Sequence, residues 1–197
     1  MAGEAQPKAS SDEELLRRTA AGDRSAFAEF VTRHAGAVLR MARVFTRDHA
    51  LAEDALQQTF LTAYQGAKSF RGDASARTWL LTIARNTALR MAKRQTREEP
   101  VPSLFELGAQ AGWGVLDPES LATIAERRTS LLGALAELPS EQQAVIVLRD
   151  LEQLTGPETA EVLGLDLAAT KSRLHRARLR LAATLRRNAR EKGGLNE

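Results

Sequence analysis

Cysteine is absent from the 197-residue chain, which excludes disulfides, thiolate metal sites and thiol catalysis. Aromatic residues make up only 5% of it, and the 3 histidines, His34, His49 and His175, are scattered. His34 lies beside an apolar stripe with no second ligand three or four residues away, so it reads as a packed or boundary histidine. Glu53 and Asp54 lack the Glu-x-x-His partner of a carboxylate-bridged metal site. Gly112 and Gly114 flank Trp113 without any dinucleotide-binding context, and no acid and base pair up across a plausible cleft. No apolar run approaches the roughly 20 residues that a membrane span needs, and the first residues hold no hydrophobic stretch suited to a secretory signal. The expectation is a cytoplasmic protein without enzymatic chemistry, cofactor or metal. Strand signals are also scarce, whereas capped stretches with three-to-four apolar spacing recur, so the fold is expected to be all-α.

The most informative stretch is 154–180. Thr155 and Glu158 form a capping box with Pro157 in the first turn, which starts a short helix that Gly164 ends. Asp166 then caps a second helix after only Gly164 and Leu165, which is helix-turn-helix spacing. At about 100° per residue, Leu167, Thr170, Leu174, Ala177 and Leu181 share an inward face. The outward face carries Ala169, Ser172, Arg173 and Arg176, flanked by Lys171 and His175, a pattern suited to a major groove. A basic run alone marks a solvated helix; the capped turn ahead of this one points to DNA contact.

Earlier in the chain, residues 1–10 are small and polar and are expected to form a disordered tail. Ser11 and Glu14 cap a short helix that stops near Gly22, and a long amphipathic helix follows from Asp23 to about Thr46. Asp48 caps a third helix to about Gly66, with Ala52, Ala55, Leu56, Thr59, Phe60 and Ala63 inward. Its opposite side lines up Asp54, Gln57, Gln58, Leu61 and Gln65. That strip is poorer in charge than an ordinary solvated face and resembles a docking surface. After the loop at Phe70, Arg71, Gly72 and Asp73, a helix from about Ala76 to Arg97 turns Leu80, Ile83, Ala84, Thr87 and Met91 inward. Trp79 stands at its edge, Thr82, Asn86 and Lys93 face outward, and Arg77, Arg85, Arg90, Arg94 and Arg97 surround them. Aromatic, amide and basic groups together suit single-stranded nucleic acid; equally, the aromatics can be core and the cations solvated.

Prolines and glycines punctuate residues 98–116, the expected flexible linker, which also carries the apolar Leu104, Phe105, Leu107 and Trp113. Asp117 with Pro118 opens a helix running towards Pro139, and Ser140 with Gln143 reads as a further capping box. With the helix-turn-helix these two helices make a four-helix module over 117–187, and 188–197 is a frayed tail.

Ala52, Glu53, Asp54, Gln57 and Phe60, then Phe70, Arg71 and Gly72, then Thr78, Trp79, Leu80, Ile83, Ala84 and Asn86 form one motif set. Leu135, Leu138 and Pro139, Glu158, Ala160, Leu163 and Gly164, and Lys171, Ser172, Arg173 and Arg176 form another. In this order, on either side of a linker, they resemble the extracytoplasmic-function (ECF) sigma factors of bacterial RNA polymerase.

The resemblance implies that 11–97 is sigma region 2 and 117–187 is sigma region 4. It implies that Asp54, Gln57 and Phe60, with Gln58 and Leu61 added from the strip, dock on the clamp helices of the polymerase largest subunit. Phe70, Arg71, Gly72, Asp73, Trp79 and Asn86 would capture unstacked minus-ten bases, with Lys93 and Arg94 along the strand. Ser172, Arg173 and Arg176 would read the minus-thirty-five duplex, with Lys171 and Arg178 on phosphates. An anti-sigma factor covering these surfaces is expected, as is contact with the polymerase flap region. Gln143 replaces a usual arginine, Gln153 a frequent glycine, Thr159 an isoleucine and Thr170 a valine. Gln153 therefore bears on the angle at which the chain enters the helix-turn-helix. The rival readings are an ordinary helix-turn-helix repressor or activator and a helical scaffold that binds only protein. The first leaves the docking strip and aromatic loop unexplained, and the basic helix argues against the second.

Overall fold

The computed structural model describes residues 10–46, 48–95 and 118–193, with side chains over 10–46, 48–94 and 127–190. Among them every regular element is helical: α1 (Asp12–Ala20), α2 (Arg24–Thr46), α3 (His49–Gly66), α4 (Ala76–Gln95), α5 (Pro118–Ala136), α6 (Ser140–Ile146), α7 (Gly156–Leu163) and α8 (Leu167–Gly193). The expected tail over 1–9, the linker over 98–116 with Leu104, Phe105, Leu107 and Trp113, the Asp117 cap, Arg97 and the last residues lie outside the described residues.

Helix starts follow side-chain chemistry. Ser11 Oγ accepts from the Glu14 amide at 3.2 Å, and Asp48 Oδ1 accepts from the Leu51 amide at 2.7 Å. Asp23 accepts from the Ser25 and Ala26 amides and the Ser25 hydroxyl and pairs with Arg18, which together hold its carboxyl far below the usual carboxylate range. The start of α4 is served by two groups: Ser75 Oγ accepts from the Thr78 amide at 3.1 Å and Glu13 from the Ala76 amide at 3.2 Å.

Helices α2, α3 and α4 pack as a bundle against which α1 lies. Phe30, Val38, Met41, Leu80 and Leu81 are fully buried in it, and alanines 52, 55, 63, 84 and 88 let the helix axes approach closely. Burying five side chains of that size stabilises the bundle by about 1.5–3 kcal/mol each. His34 is buried on this bundle, 4.6 Å from the Phe30 ring centroid, with Nε2 2.8 Å from Asp12 Oδ2. It is thus a packed histidine. Its desolvation outweighs the attraction of Asp12 and pushes its pKa below the ordinary value, with Arg77 and Arg33 adding repulsion.

In the C-terminal module, α6 and α7 pack against α8, which also meets α5. Three expectations are corrected here. First, Ser140 and Gln143 form no capping box: Pro139, at φ −54° and ψ 142°, takes the N-cap position, so Ser140 is already helical. Gln143 is instead buried and donates from Nε2 to the Leu138 carbonyl of the turn at 2.7 Å and, more weakly, to the Ala136 carbonyl at the end of α5 at 3.5 Å. Second, Leu167 is 40% exposed rather than inward. It sits at the first position of α8, beyond the reach of the core, and rests against the backbone of Gly156. Third, Arg77 and Arg85 are not simply solvated beside Arg90 but pair with acids of the other module, Arg77 while partly exposed. The two modules pack on one another through α4 and α7 and through α2 and α6, and both arginines point into that seam.

The threonine substitutions are accommodated by back-bonding within their helices. Thr159 and Thr170 are buried, and their hydroxyls donate to the Thr155 and Asp166 carbonyls at 2.8 and 2.9 Å. Gln153 follows a π turn (Val147–Leu151) and has φ 58°, the one non-glycine in the left-handed region among the described residues. An L side chain there costs about 1–2 kcal/mol. Gln153→Gly removes that strain but adds unfolded-chain entropy, so a net gain of about 0.5–1 kcal/mol is expected. A raised urea midpoint would report it; an unchanged or lowered midpoint would show that the left-handed turn carries no strain.

The His34 environment gives a pH-dependent expectation. Because folding lowers its pKa, its contribution is fully present above the unfolded value of about 6.5 and is lost as pH falls through the lower folded value. The stability advantage of wild type over His34→Gln should therefore shrink between pH 7.5 and pH 5.5, measured by urea midpoints at each pH. A constant advantage would contradict the assignment.

Candidate functional site

Three surfaces carry the sequence-predicted residues. On α3 the burial of Ala52, Ala55, Thr59 and Ala63 leaves Asp54, Gln57, Gln58 and Leu61 on the outer side, all exposed, with Leu61 at 50%. Together with Arg90, Met91 and Arg94 of α4 they line one shallow groove. Sequence reasoning missed the second wall, because nothing in the α4 pattern alone fixes which α3 residues it faces. Arg94 accordingly lies beside the docking strip. Phe60 does not lie on the strip: it is only 7% exposed and meets the Phe27 ring edge-on at 6.3 Å. It packs α3 onto α2. Tyr64, one turn beyond Leu61 and 39% exposed, extends the apolar part of the face while packing on Phe27 at 5.0 Å.

The second surface is the loop before α4. Arg71 and Asp73 are exposed and pair with each other at 3.2 Å, across Gly72 at φ 77°. Phe70 tilts against Trp79 with ring centroids 5.2 Å apart, and both rings are partly buried on the bundle edge. The Trp79 ring also lies across Gly66, where a Cβ would sit 3.2 Å from it. Trp79 is therefore a supporting wall for Phe70, a half-exposed aromatic step. Asn86, Arg90, Lys93 and Arg94 continue from it along the exposed side of α4.

The helix-turn-helix forms as its signals predict. Thr155 and Glu158 make the reciprocal box, with Thr155 N donating to Glu158 Oε2 at 2.8 Å and Glu158 N to Thr155 Oγ1 at 3.4 Å. The Thr155 hydroxyl and amide, then Thr78 and Ser75, hold the Glu158 carboxyl below its ordinary pKa. Gly164 closes α7 at φ 63°, and Asp166 Oδ1 accepts from the Ala169 amide at 2.7 Å. On α8, Lys171, Ser172 and Arg176 are exposed. Arg173 and Arg178 are held by intramolecular acids: Arg173 pairs with Glu141 at 2.7 Å and Arg178 with Asp150 at 2.5 Å. The Asp150 carboxylate keeps Arg178 still more firmly protonated. Among the described residues no group of histidine, cysteine, aspartate and glutamate could hold a metal ion, and no helix is long and apolar enough to cross a membrane.

Residues 30–98 match the family described as Sigma-70 region 2, and residues 128–181 match Sigma-70, region 4. The chain is 37% identical over 175 residues to the ECF RNA polymerase sigma factor SigM of Mycobacterium tuberculosis, covering 89% of this chain and 85% of that one. The chain belongs to the ECF sigma factors. It is also 30% identical over 174 residues to the ECF sigma-E factor of Escherichia coli, covering 85% of this chain and 91% of that one. Two solved structures share its fold. CnrH in complex with the cytosolic domain of CnrY has a TM-score of 0.65 and 28% identity over 89% of this chain and 97% of that one. The sigma factor RpoE in complex with the anti-sigma factor NepR from Bartonella quintana has a TM-score of 0.65 and 25% identity over 81% and 96%. As an ECF sigma factor the protein is a non-enzymatic transcription initiation factor, and its family implies RNA polymerase core and promoter DNA as partners.

Proposed function

We propose that this sigma factor docks RNA polymerase core through the α3 strip and reads promoters with the two DNA surfaces described above. Asp54, Gln57, Gln58 and Leu61 meet the clamp helices of the largest subunit, with Phe60 holding them in position from the core, while region 4 lies on the flap. The observation that carries this reading is the pairing of a charge-poor, leucine-centred outer face on α3, with Asp54 its one carboxylate, and a fully capped helix-turn-helix in one chain. A duplex-binding repressor needs only the second of these.

Phe70 stacks an unpaired minus-ten base, backed by Trp79, while Arg71, Gly72 and Asp73 shape the loop edge and Asn86 offers amide donors and an acceptor to base edges. Lys93 and Arg94 follow the strand backbone, Arg94 from the rim it shares with the docking groove. On the minus-thirty-five duplex, Ser172, Arg173 and Arg176 face bases, and Lys171 and Arg178 face phosphates. Control by an anti-sigma factor and action in the cytoplasm follow from the same reading. The two similar solved proteins are each held by such a regulator or by the cytosolic domain of a partner.

In vitro transcription with purified core polymerase on a pool of promoter fragments should give defined starts only when the protein is added. Leu61→Asp should weaken core binding roughly tenfold or more with helix content unchanged; normal assembly of that variant would refute the docking face. Arg176→Ala should lose about 1–3 kcal/mol at one base pair of the minus-thirty-five element if the guanidinium reads a base. Equal weakening on every sequence, in competition assays across base substitutions, would make Arg176 a phosphate contact instead.

A further inference from the structure

We infer that α1 is a brace for the loop that captures minus-ten bases, and that Glu13 is a positioning residue for that capture. The capture half rests on the functional reading above; the brace itself does not. The first turn of α1 holds three consecutive acids, Asp12, Glu13 and Glu14, which in an isolated helix would face only its own dipole. Here each serves a different element. Glu14 pairs with Arg17 within α1. Asp12 reaches α2, with one oxygen 2.6 Å from Arg33 Nη1 and the other 2.8 Å from His34 Nε2. Glu13 reaches α4, where its carboxylate accepts from the Ala76 amide at 3.2 Å.

That amide is the first N–H of α4, a group for which the helix supplies no partner of its own. Ala76 is fully buried, so water cannot take the place of Glu13 there. Ser75 Oγ serves a different donor, the Thr78 amide at 3.1 Å. The turn fixed in this way carries Trp79, whose amide donates to the Ser75 carbonyl at 3.0 Å and whose ring backs Phe70. The other end of the loop leads back to the same helix. Phe70 donates its amide to the Ala67 carbonyl at 3.3 Å, closing a 3-10 turn (Ala67–Ser69) that packs on α1. Both ends of the loop are thus held by α1, which is anchored in turn by the fully buried Leu15 and Leu16. The stretch that matches Sigma-70 region 2 begins at residue 30, so the brace comes from a helix ahead of it. Loosening the first turn of α4 moves the Trp79 wall under Phe70, and with it the width of the step on which a base stacks. Glu13 itself is exposed, so its replacement leaves the core closed.

Glu13→Ala removes the acceptor, whereas Glu13→Gln keeps an oxygen at the same reach. In the full-length chain, amide hydrogen exchange over residues 76–79 should speed about fivefold or more in Glu13→Ala, with α2 and α3 unchanged. Glu13→Gln should exchange like wild type. Each protein is then assembled with core polymerase and challenged with competing promoter fragments that carry each of the four bases at every minus-ten position. Discrimination between the best and worst base at the captured position should fall about threefold or more in Glu13→Ala and return in Glu13→Gln, with core affinity unchanged. Wild-type exchange in Glu13→Ala overturns the brace, and losses as large in Glu13→Gln overturn the hydrogen bond as its cause. Faster exchange with unchanged discrimination, or with equal weakening on every base, overturns the positioning role. A wild type that supports no promoter-specific transcription overturns the functional reading and the capture half with it, while the exchange measurement still decides the brace.

Discussion

The close approach of α2, α3 and α4 through alanine is the contact on which region 2 depends. Ala52, Ala55, Ala63, Ala84 and Ala88 are all fully buried, so few large side chains are needed to fill the space between the axes. This explains how a chain with so few aromatics builds a core. It also fixes the function-bearing faces, because once alanine rows are turned inward, the rows at the opposite angle must face out. Asp54, Gln57, Gln58 and Leu61 are presented by the same geometry that buries their neighbours. Phe60 and Phe27 meet edge-on at the side of this packing and join α3 to α2 there.

Region 4 uses a different device. Its two middle helices, α6 and α7, are short, so end groups make up a large share of their backbone polar atoms, and specific side chains satisfy them. The Thr155–Glu158 box, the left-handed Gly164 and the Asp166 cap fix three consecutive points of the helix-turn-helix. Gln143 completes the set by reaching back to the Leu138 carbonyl. Its amide donates where it stands, so the change from arginine leaves the end of the preceding helix satisfied. Gln153 does impose the left-handed conformation that glycine adopts without strain, and the chain accommodates it between a π turn and the start of α7.

What was legible in the sequence divides along the same line. Caps and apolar periodicity are local, and they located α1, α2, α3, α4 and the helix-turn-helix closely. The errors arose where a distant element decided the outcome. Arg77 and Arg85 look like solvated cations in a local window, and only the presence of Glu152 and Glu141 from the other region turns them inward. Leu81 is fully buried although it lies off the predicted core face, and α4 is packed against α7 as well as α2 and α3. The Ser140 register failed by one residue because a proline beside it had the better backbone geometry for the cap. The groove shared by α3 and α4 was half visible: the periodicity of α3 gave one wall, but no sequence pattern says that Arg90, Met91 and Arg94 form the other.

The recognition helix also illustrates how much the partner of a cation matters. Lys171, Ser172 and Arg176 are exposed, whereas Arg173 and Arg178 already hold carboxylates. For a paired arginine, binding DNA exchanges one anion for another, so its net contribution to affinity is smaller than that of an arginine leaving water alone. What the pairing supplies is direction: Asp150 takes two donors of Arg178, at 3.2 and 2.5 Å, and so restricts the guanidinium plane. Arg173 differs because its acid also faces Arg85, so its availability depends on where the other region lies. Thus, of the two arginines proposed to face bases, Arg176 is exposed, whereas Arg173 shares its acid with an arginine of the other region.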